Sequence, residues 1–237
     1  MIPIKKGTPP QALNELKNRA IRKGLSPKDA YKTLKNPLKT EVLNNLVEEQ
    51  GHLCAYCMCS IPRRNLDPQI SAITIEHFIP ESPQDSRDVG QGLDYSNFLA
   101  VCNGNTAKKG KRKYIDLTCD SHRGNKEFKK INPCIPNTLS NIFYTMDGVI
   151  GATDPDVKED IENILNLNCP NSPLVSERKE ALTQLTNDMG YMEDKSELLL
   201  YCKKRLDAFS NEPGRRTEYV GILIWYLKSM IGALENI

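Results

Sequence analysis

Apolar residues follow a helical spacing at both ends of the chain and a different pattern in the middle. Near the amino terminus they recur every three or four positions over residues 11–23 and 38–50, and Ser26-Pro27 is typical of a helix start. The same spacing returns in the carboxy-terminal part and predicts helices over residues 156–165, 176–188, 195–209 and 215–234. The pattern therefore predicts a mainly helical chain with a non-helical centre.

The centre contains short β-prone segments separated by polar connections. One segment runs from Ile70 to Ile75, and two strand-like pieces within residues 141–150 flank a Met146-Asp147-Gly148 turn. We therefore expect an α+β fold in three parts. These are N-terminal helices (1–50), a compact core (51–133) and a mainly helical C-terminal region (134–237).

Composition excludes several classes of protein. An apolar fraction of 39% over 237 residues is enough for a real core, and no apolar run approaches the roughly 18–20 residues of a membrane-spanning helix. Residues 1–30 contain no apolar signal-peptide run, which predicts a cytoplasmic protein without a membrane role. Eight cysteines in such a chain argue for metal ligands and buried thiols rather than four disulfides.

The net charge of +2 conceals a strong segregation of charge. Residues 1–50 carry a net charge of +5 and residues 101–130 of +6, whereas residues 151–200 carry −7. A basic front favours a nucleic-acid partner, and an acidic back favours a protein partner. The densest basic stretch is predicted to be a loop beside a metal site, and it comprises Lys108, Lys109, Lys111, Arg112 and Lys113.

A Cys-x-x-Cys sequence at Cys54 and Cys57 indicates a metal site, because this spacing lets two thiolates share one tetrahedral ion. A redox dithiol and two unrelated core thiols are the alternatives. Cys102 and Cys119 are the best candidates for the remaining ligands, and Cys59 is close enough to compete with Cys57. Four thiolates leave no open position, so the predicted zinc ion is structural.

Candidate chemistry lies beside these cysteines. Glu76-His77 follows the β-prone run and could present a metal ligand and a proton acceptor at one strand end. Alone this pair is common, and a single histidine is more often structural than catalytic. Asn97 stands five residues before one proposed zinc ligand, and Asp120 and His122 follow another.

Taken together, these motifs resemble those of an HNH endonuclease with the ββα-metal fold. The resemblance rests on Cys-x-x-Cys at 54–57, Glu-His-x-x-Pro at 76–80, Asn-Phe-Leu-x-x-Cys at 97–102 and Cys-Asp-x-x-Arg-Gly at 119–124. Over roughly residues 38–185, the sequence is also similar to the HNH subunit of two-gene bacterial anti-phage systems of the Septu type. Some of these systems are associated with retrons.

The resemblance implies a fold, an activity and roles for particular residues. It implies a small zinc-stabilised ββα-metal core flanked by helices, and hydrolysis of nucleic-acid phosphodiester bonds. His77 resembles the general base, Asn97 the residue that holds the histidine backbone, and Asp120 and Glu76 the ligands of a catalytic Mg²⁺ or Mn²⁺ ion. The implied partners are nucleic acid, with DNA favoured and RNA left open, and an ABC-type ATPase subunit of the same defence system.

Two departures from the family pattern leave alternatives open. The long interval between Cys102 and Cys119 allows His122 to replace Cys119 at zinc, or to replace Asp120 at the catalytic metal. The carboxylate of Asp120 adds negative charge where phosphate must approach, and the residues expected to offset it are Arg123, Lys126 and the basic loop. The alternative function is a zinc-stabilised nucleic-acid- or protein-binding module without catalysis, in which the acidic residues and His77 only orient the zinc site.

Overall fold

The computed structural model describes residues 1–62, 72–80, 92–106 and 113–236. The helices are α1 (Gln11–Arg22), α2 (Pro27–Lys32), α3 (Leu38–Glu49), α4 (Cys119–Arg123), α5 (Pro155–Glu159), α6 (Leu174–Met189), α7 (Lys195–Ser210) and α8 (Val220–Glu235). The strands are β1 (Ile73–His77), β2 (Phe98–Cys102), β3 (Ile142–Tyr144) and β4 (Ile150–Ala152). The predicted α+β character and the helical ends are confirmed.

The N-terminal helices begin and end at residues that suit these positions. The Ser26 hydroxyl accepts a hydrogen bond from the Asp29 amide at 3.2 Å and caps α2. Helix α3 buries Val42, Leu46 and Val47, and the chain leaves it at Gly51, whose φ is +63°. A side chain at Gly51 would also meet Arg216, so a glycine ends this helix for two reasons.

Strands β1 and β2 form an antiparallel pair at the centre of the chain. The register sets His77 opposite Phe98 and Ile73 opposite Cys102. All five residues of β2 are buried, because α3 and α4 both pack against it. The Gln50 side chain at the end of α3 accepts from the Ala100 amide and donates to the Ala100 carbonyl, each at 2.8 Å. Two strands followed by a short helix are thus fixed in one unit.

A buried carboxylate connects the segment after this unit back to it through hydrogen bonds. Asp160 is fully buried and accepts hydrogen bonds of 2.8 Å from the amides of Lys129, Lys130 and Ile131. It begins a single π-helical turn, Asp160–Ile164, that follows α5. These bonds connect the strand-and-helix unit to the C-terminal region, and one continuous core contains buried residues from all three parts expected from the sequence.

The last helix begins later than its periodicity predicts. Helicity was expected from residue 215, but α8 starts at Val220. The residue just before α8 instead contacts the segment that carries Cys54 and Cys57. The Tyr219 amide donates a hydrogen bond to the Met58 carbonyl at 3.0 Å. Tertiary contact has overridden local spacing here. No helix among the described residues has both the length and the apolar character needed to cross a membrane.

Candidate metal and active site

Four cysteines from three separate regions meet in the interior. Cys54 and Cys57 lie on a turn after α3, Cys102 ends β2 and Cys119 begins α4. Their sulfur atoms all lie within 4.8 Å of one another, and all four residues are buried. We call these four residues the thiol cluster, and they are the Cys-x-x-Cys pair and the two best candidates for the remaining ligands.

The sulfur separations in the thiol cluster fit a tetrahedral zinc ion. The Sγ atoms of Cys57 and Cys102 are 3.8 Å apart, as are those of Cys102 and Cys119. A tetrahedron with Zn–S bonds of about 2.3 Å has edges of about 3.8 Å. The donor set and its dimensions therefore agree with a structural zinc site in which no ligand position is open.

The backbone adopts uncommon conformations to bring these thiols together. Met58, directly after Cys57, has φ of +64°, and Cys119 has φ of +53°. Residues without glycine's freedom rarely occupy this left-handed region. The amide of Cys119 donates to Leu165 at 2.8 Å, which helps to hold that conformation. The strain at Cys119 thus serves to direct its thiol inward.

His122, the alternative zinc ligand, lies outside the thiol cluster. Its Nδ1 is 3.0 Å from the Ile164 carbonyl oxygen, and its ring stacks on Tyr114 with centroids 4.4 Å apart. Cys119 completes the set of four donors instead. All four candidate zinc ligands are therefore cysteines, despite the long interval between Cys102 and Cys119.

Two carboxyl groups meet beside the thiol cluster. Glu76 comes from β1 and Asp120 from the first turn of α4, and the two carboxyl groups are close enough for Asp120 to affect the pKa of Glu76. Burial and this neighbouring carboxyl raise the pKa of Glu76 well above its ordinary value, and Arg123 opposes the shift. Together with His77 and Arg123, these two residues form what we call the acidic–histidine cluster.

His77 is held in a defined orientation. Its Nε2 lies 3.2 Å from the Gly92 carbonyl oxygen, and the rings of Tyr31 and Phe98 pack edge-on against it at centroid distances of 4.6 and 4.9 Å. A neutral imidazole that donates from Nε2 carries its lone pair on Nδ1. Burial lowers the pKa of His77 to about 4, so the ring is neutral at physiological pH, as a general base requires.

Asn97 holds the backbone that follows His77. Its Oδ1 accepts from the Ile79 amide at 2.7 Å, and its Nδ2 donates to the Ile79 carbonyl at 2.9 Å. Its own carbonyl accepts from the Phe78 amide at 2.9 Å. These three bonds fix the backbone of Phe78 and Ile79, and the role of Asn97 in catalysis stays a prediction.

Arg123 occupies a different environment from the one expected. The sequence suggested a contact with phosphate, but the side chain is only 1% exposed. Its guanidinium pairs with Glu76 and donates to the carbonyls of His77 at 3.1 Å and Phe78 at 2.6 Å. Arg123 therefore fixes the end of β1, and a nucleic acid cannot reach it. An Arg-Gly pair in the sequence does not by itself reveal whether the arginine faces inward.

The remaining basic candidates are only partly within the described residues. Lys108, Lys109, Lys111 and Arg112 lie outside them, and Lys113 is exposed. The Lys126 ammonium lies 3.3 Å from the Asn163 carbonyl oxygen and over the Tyr114 ring. Lys113 and Lys126 thus flank α4 on the side of Tyr114, and their role on nucleic acid stays a prediction.

Sequence reasoning did not single out Tyr56, although this residue connects the two clusters. It lies between Cys54 and Cys57, is fully buried, and its hydroxyl donates to Glu76 at 3.1 Å. Its position inside a Cys-x-x-Cys turn could have indicated Tyr56, because a large aromatic residue there must pack against the neighbouring core.

Comparison with known proteins identifies a relative from Escherichia coli. No protein-family model matches. The chain is 30% identical over 174 residues to an Escherichia coli protein with the curated name "Retron Ec83 putative HNH endonuclease". The match covers 60% of this chain and 65% of that protein. It agrees with the HNH resemblance of the motifs, whereas the Septu-type subfamily has no counterpart in the comparison.

Proposed function

We propose that this chain is a metal-dependent HNH endonuclease that hydrolyses phosphodiester bonds of nucleic acid. The observation that carries the proposal is the meeting of Glu76 and Asp120 beside a neutral His77, at the junction of two antiparallel strands and a short helix. The similarity to a relative named as an HNH endonuclease supports it. The order of two strands followed by a short helix supports the ββα-metal core that the motifs imply.

Each residue has a defined task in this proposal. Asp120 and Glu76 offer oxygen ligands to one Mg²⁺ or Mn²⁺ ion, which would stabilise charge developing on the scissile phosphate and the leaving oxygen. His77 accepts a proton from the attacking water at Nδ1 while Nε2 keeps its contact with Gly92. Arg123 reduces the repulsion between the buried Glu76 carboxyl group and that of Asp120. The thiol cluster holds structural zinc and takes no part in the chemistry.

The experiment that tests this proposal compares two histidine variants. His77→Ala removes the proton acceptor, and we expect cleavage to fall by at least about 100-fold. His52→Asn is the matched control, because His52 lies outside both clusters and asparagine tolerates its positive φ of +60°. Duplex DNA, single-stranded DNA and RNA are assayed with Mg²⁺ and Mn²⁺, which also identifies the substrate.

Zinc content and thermal unfolding of both variants separate a catalytic defect from a folding defect. His77→Gln replaces the alanine variant if the latter does not fold. Cleavage that persists without His77 contradicts the catalytic assignment. Absence of cleavage by the unmodified chain on every substrate favours the non-catalytic binding module instead.

We further propose that the chain acts as the effector subunit of an anti-phage complex with an ABC-type ATPase. Residues 151–200, with a net charge of −7, are a poor surface for nucleic acid and a suitable one for a basic protein surface. Co-expression with an ATPase subunit of such a system, followed by size-exclusion chromatography, tests the complex. Elution of the two proteins at separate volumes contradicts it.

A further inference from the structure

Two large apolar side chains project into solvent just before α4. Tyr114 is 53% exposed and Ile115 is 70% exposed, and both belong to a single 3₁₀ turn, Tyr114–Asp116. Isolated exposed apolar residues are common on protein surfaces and need no explanation. An adjacent pair in a fixed turn is less expected, because the fold then keeps this apolar area in water.

Side-chain amides from three other segments hold the turn in place. Asn166 donates from Nδ2 to the Ile115 carbonyl at 2.9 Å. Asn105 donates to the Asp116 carbonyl and Asn171 to the Asp116 carboxylate, each at 2.7 Å. The turn therefore presents its two apolar side chains from a fixed backbone.

The Tyr114 ring is supported on one face and lies near positive charge. It stacks on His122 with centroids 4.4 Å apart and an interplanar angle of 20°, and its hydroxyl donates to the His122 carbonyl. The Lys126 ammonium lies over the ring, 5.3 Å from the centroid. Lys113 directly precedes Tyr114 and is exposed. An aromatic ring that is oriented by its neighbours is thus accessible in a basic environment.

These surroundings indicate the kind of ligand. Residues 101–130 carry a net charge of +6, which favours a polyanion. Proteins that bind single-stranded nucleic acid combine aromatic rings, on which bases stack, with cations that contact the phosphates. A base inside a duplex has both faces covered by its neighbours, so only an unpaired base can offer a face to Tyr114.

We propose that Tyr114 stacks on an unpaired base of the nucleic-acid substrate while Lys113 and Lys126 contact neighbouring phosphates. The inference rests on the proposed function, and it specifies the substrate class as single-stranded or locally unpaired nucleic acid. Asp120 and His122 are two residues apart on α4 and point to opposite sides of it. Tyr114 therefore lies across this helix from the proposed metal ligand, and it binds substrate away from the scissile phosphate.

The test measures affinity by fluorescence anisotropy with labelled oligo(dA), oligo(A) and a blunt DNA duplex of equal length. The full-length His77→Ala protein, without added Mg²⁺ or Mn²⁺, is the background, so that binding is measured without cleavage. Tyr114→Leu keeps apolar volume against His122 but removes the aromatic face. We expect it to weaken single-strand binding at least about fivefold, the lower end of the cost of losing one base stack, and to leave duplex binding unchanged.

Three further variants separate stacking from charge. Tyr114→Phe keeps the ring and should bind like the background. Tyr191→Leu is the matched control, because this tyrosine is 89% exposed but lies in the acidic segment 151–200, and it should not change affinity. Lys126→Gln should reduce the slope of log affinity against log salt by about 0.7, whereas Tyr114→Leu should leave the slope unchanged, since stacking releases no counterions.

Equal affinity of Tyr114→Leu and the background for both single strands overturns the proposal and favours a protein partner for the exposed pair. Equal weakening of single-strand and duplex binding also overturns it. Thermal unfolding checks each variant, and Tyr114→Met replaces Tyr114→Leu if the latter does not fold. Single-strand binding that depends on Tyr114, in a chain that cleaves no substrate, would support this inference and contradict the nuclease proposal instead.

Discussion

The thiol cluster and the acidic–histidine cluster are built from the same turn, strand pair and short helix, yet they differ in kind. The thiol cluster contains one type of donor, and the Cys102 sulfur lies 3.8 Å from the sulfurs of both Cys57 and Cys119. The acidic–histidine cluster combines two carboxyl groups, a neutral imidazole and a guanidinium, and the guanidinium pairs with Glu76 and donates to the backbone carbonyl of His77. One arrangement suits a fixed ion, and the other suits charge that changes during a reaction.

This difference implies an order of dependence between the two clusters. Cys119 and Asp120 are neighbours in sequence, and Tyr56 connects the Cys-x-x-Cys turn to Glu76. We therefore expect the thiol cluster to position the carboxyl groups. Loss of the thiol cluster should disable both clusters, and damage to the acidic–histidine cluster should leave the thiols intact.

The largest effect is expected from Cys102→Ser, because the sulfur of Cys102 lies 3.8 Å from those of both Cys57 and Cys119 in the thiol cluster. Structural zinc contributes about 10–16 kcal/mol of apparent binding free energy in small zinc domains, so we expect loss of bound zinc, a much lower melting temperature and no cleavage. Elemental analysis and circular dichroism measure these outcomes. Cys134→Ser, at a half-buried thiol outside the cluster, should retain zinc. Full zinc content in Cys102→Ser would contradict the assignment.

Arg123→Met should separate the two clusters. It leaves the Glu76 carboxyl buried without its ion pair, and removal of one partner of a buried pair costs about 3–5 kcal/mol. Urea unfolding measures the loss, and elemental analysis should still find zinc. Lys130→Met is the control, because it breaks an exposed pair with Asp154 and should change stability much less. If Arg123→Met also loses its zinc, the thiol cluster depends on the acidic–histidine cluster, which is the opposite of the proposed order.

The smallest effect is expected from Tyr56→Phe, which removes only the hydroxyl that joins the clusters. The ring keeps its contact with Phe128, and the free energy of unfolding should fall by about 1 kcal/mol. Zinc content should not change, but cleavage should fall because Glu76 loses a positioning bond. Tyr95→Phe is matched to it, since that hydroxyl also donates to a carboxylate, Glu49, at 3.1 Å. Equal activity of the two variants would show that Tyr56 does not couple the clusters.

The sequence predicted the thiol cluster better than its surroundings. Cys54 and Cys57 are recognisable from spacing, because two thiolates on one turn can be inferred without knowing the fold. Cys119 was less certain, because residues 103–118 separate it from Cys102 and spacing says nothing across such an interval. It reaches the cluster through a strained backbone and a bond to Leu165, which only the folded chain reveals.

Whether a side chain faces the core or the solvent was harder to predict from the sequence. Arg123 looked like a phosphate ligand because its charge is visible in the sequence and its partner Glu76 is 47 residues away. The start of α8 was also wrong by five residues, because Tyr219 and its neighbours follow the Cys-x-x-Cys turn rather than their own periodicity. Long-range contacts decided both cases, and periodicity does not report them.

Anomalous diffraction from crystals grown with Mn²⁺, recorded on both sides of the zinc and manganese absorption edges, tests the central claim most directly. We expect a zinc peak about 2.3 Å from four cysteine sulfurs, and a manganese peak in contact with Asp120 beside His77. A crystal in which Asp120 and Glu76 hold no manganese, while zinc occupies the thiols, would show that the acidic–histidine cluster is only a support for the zinc site.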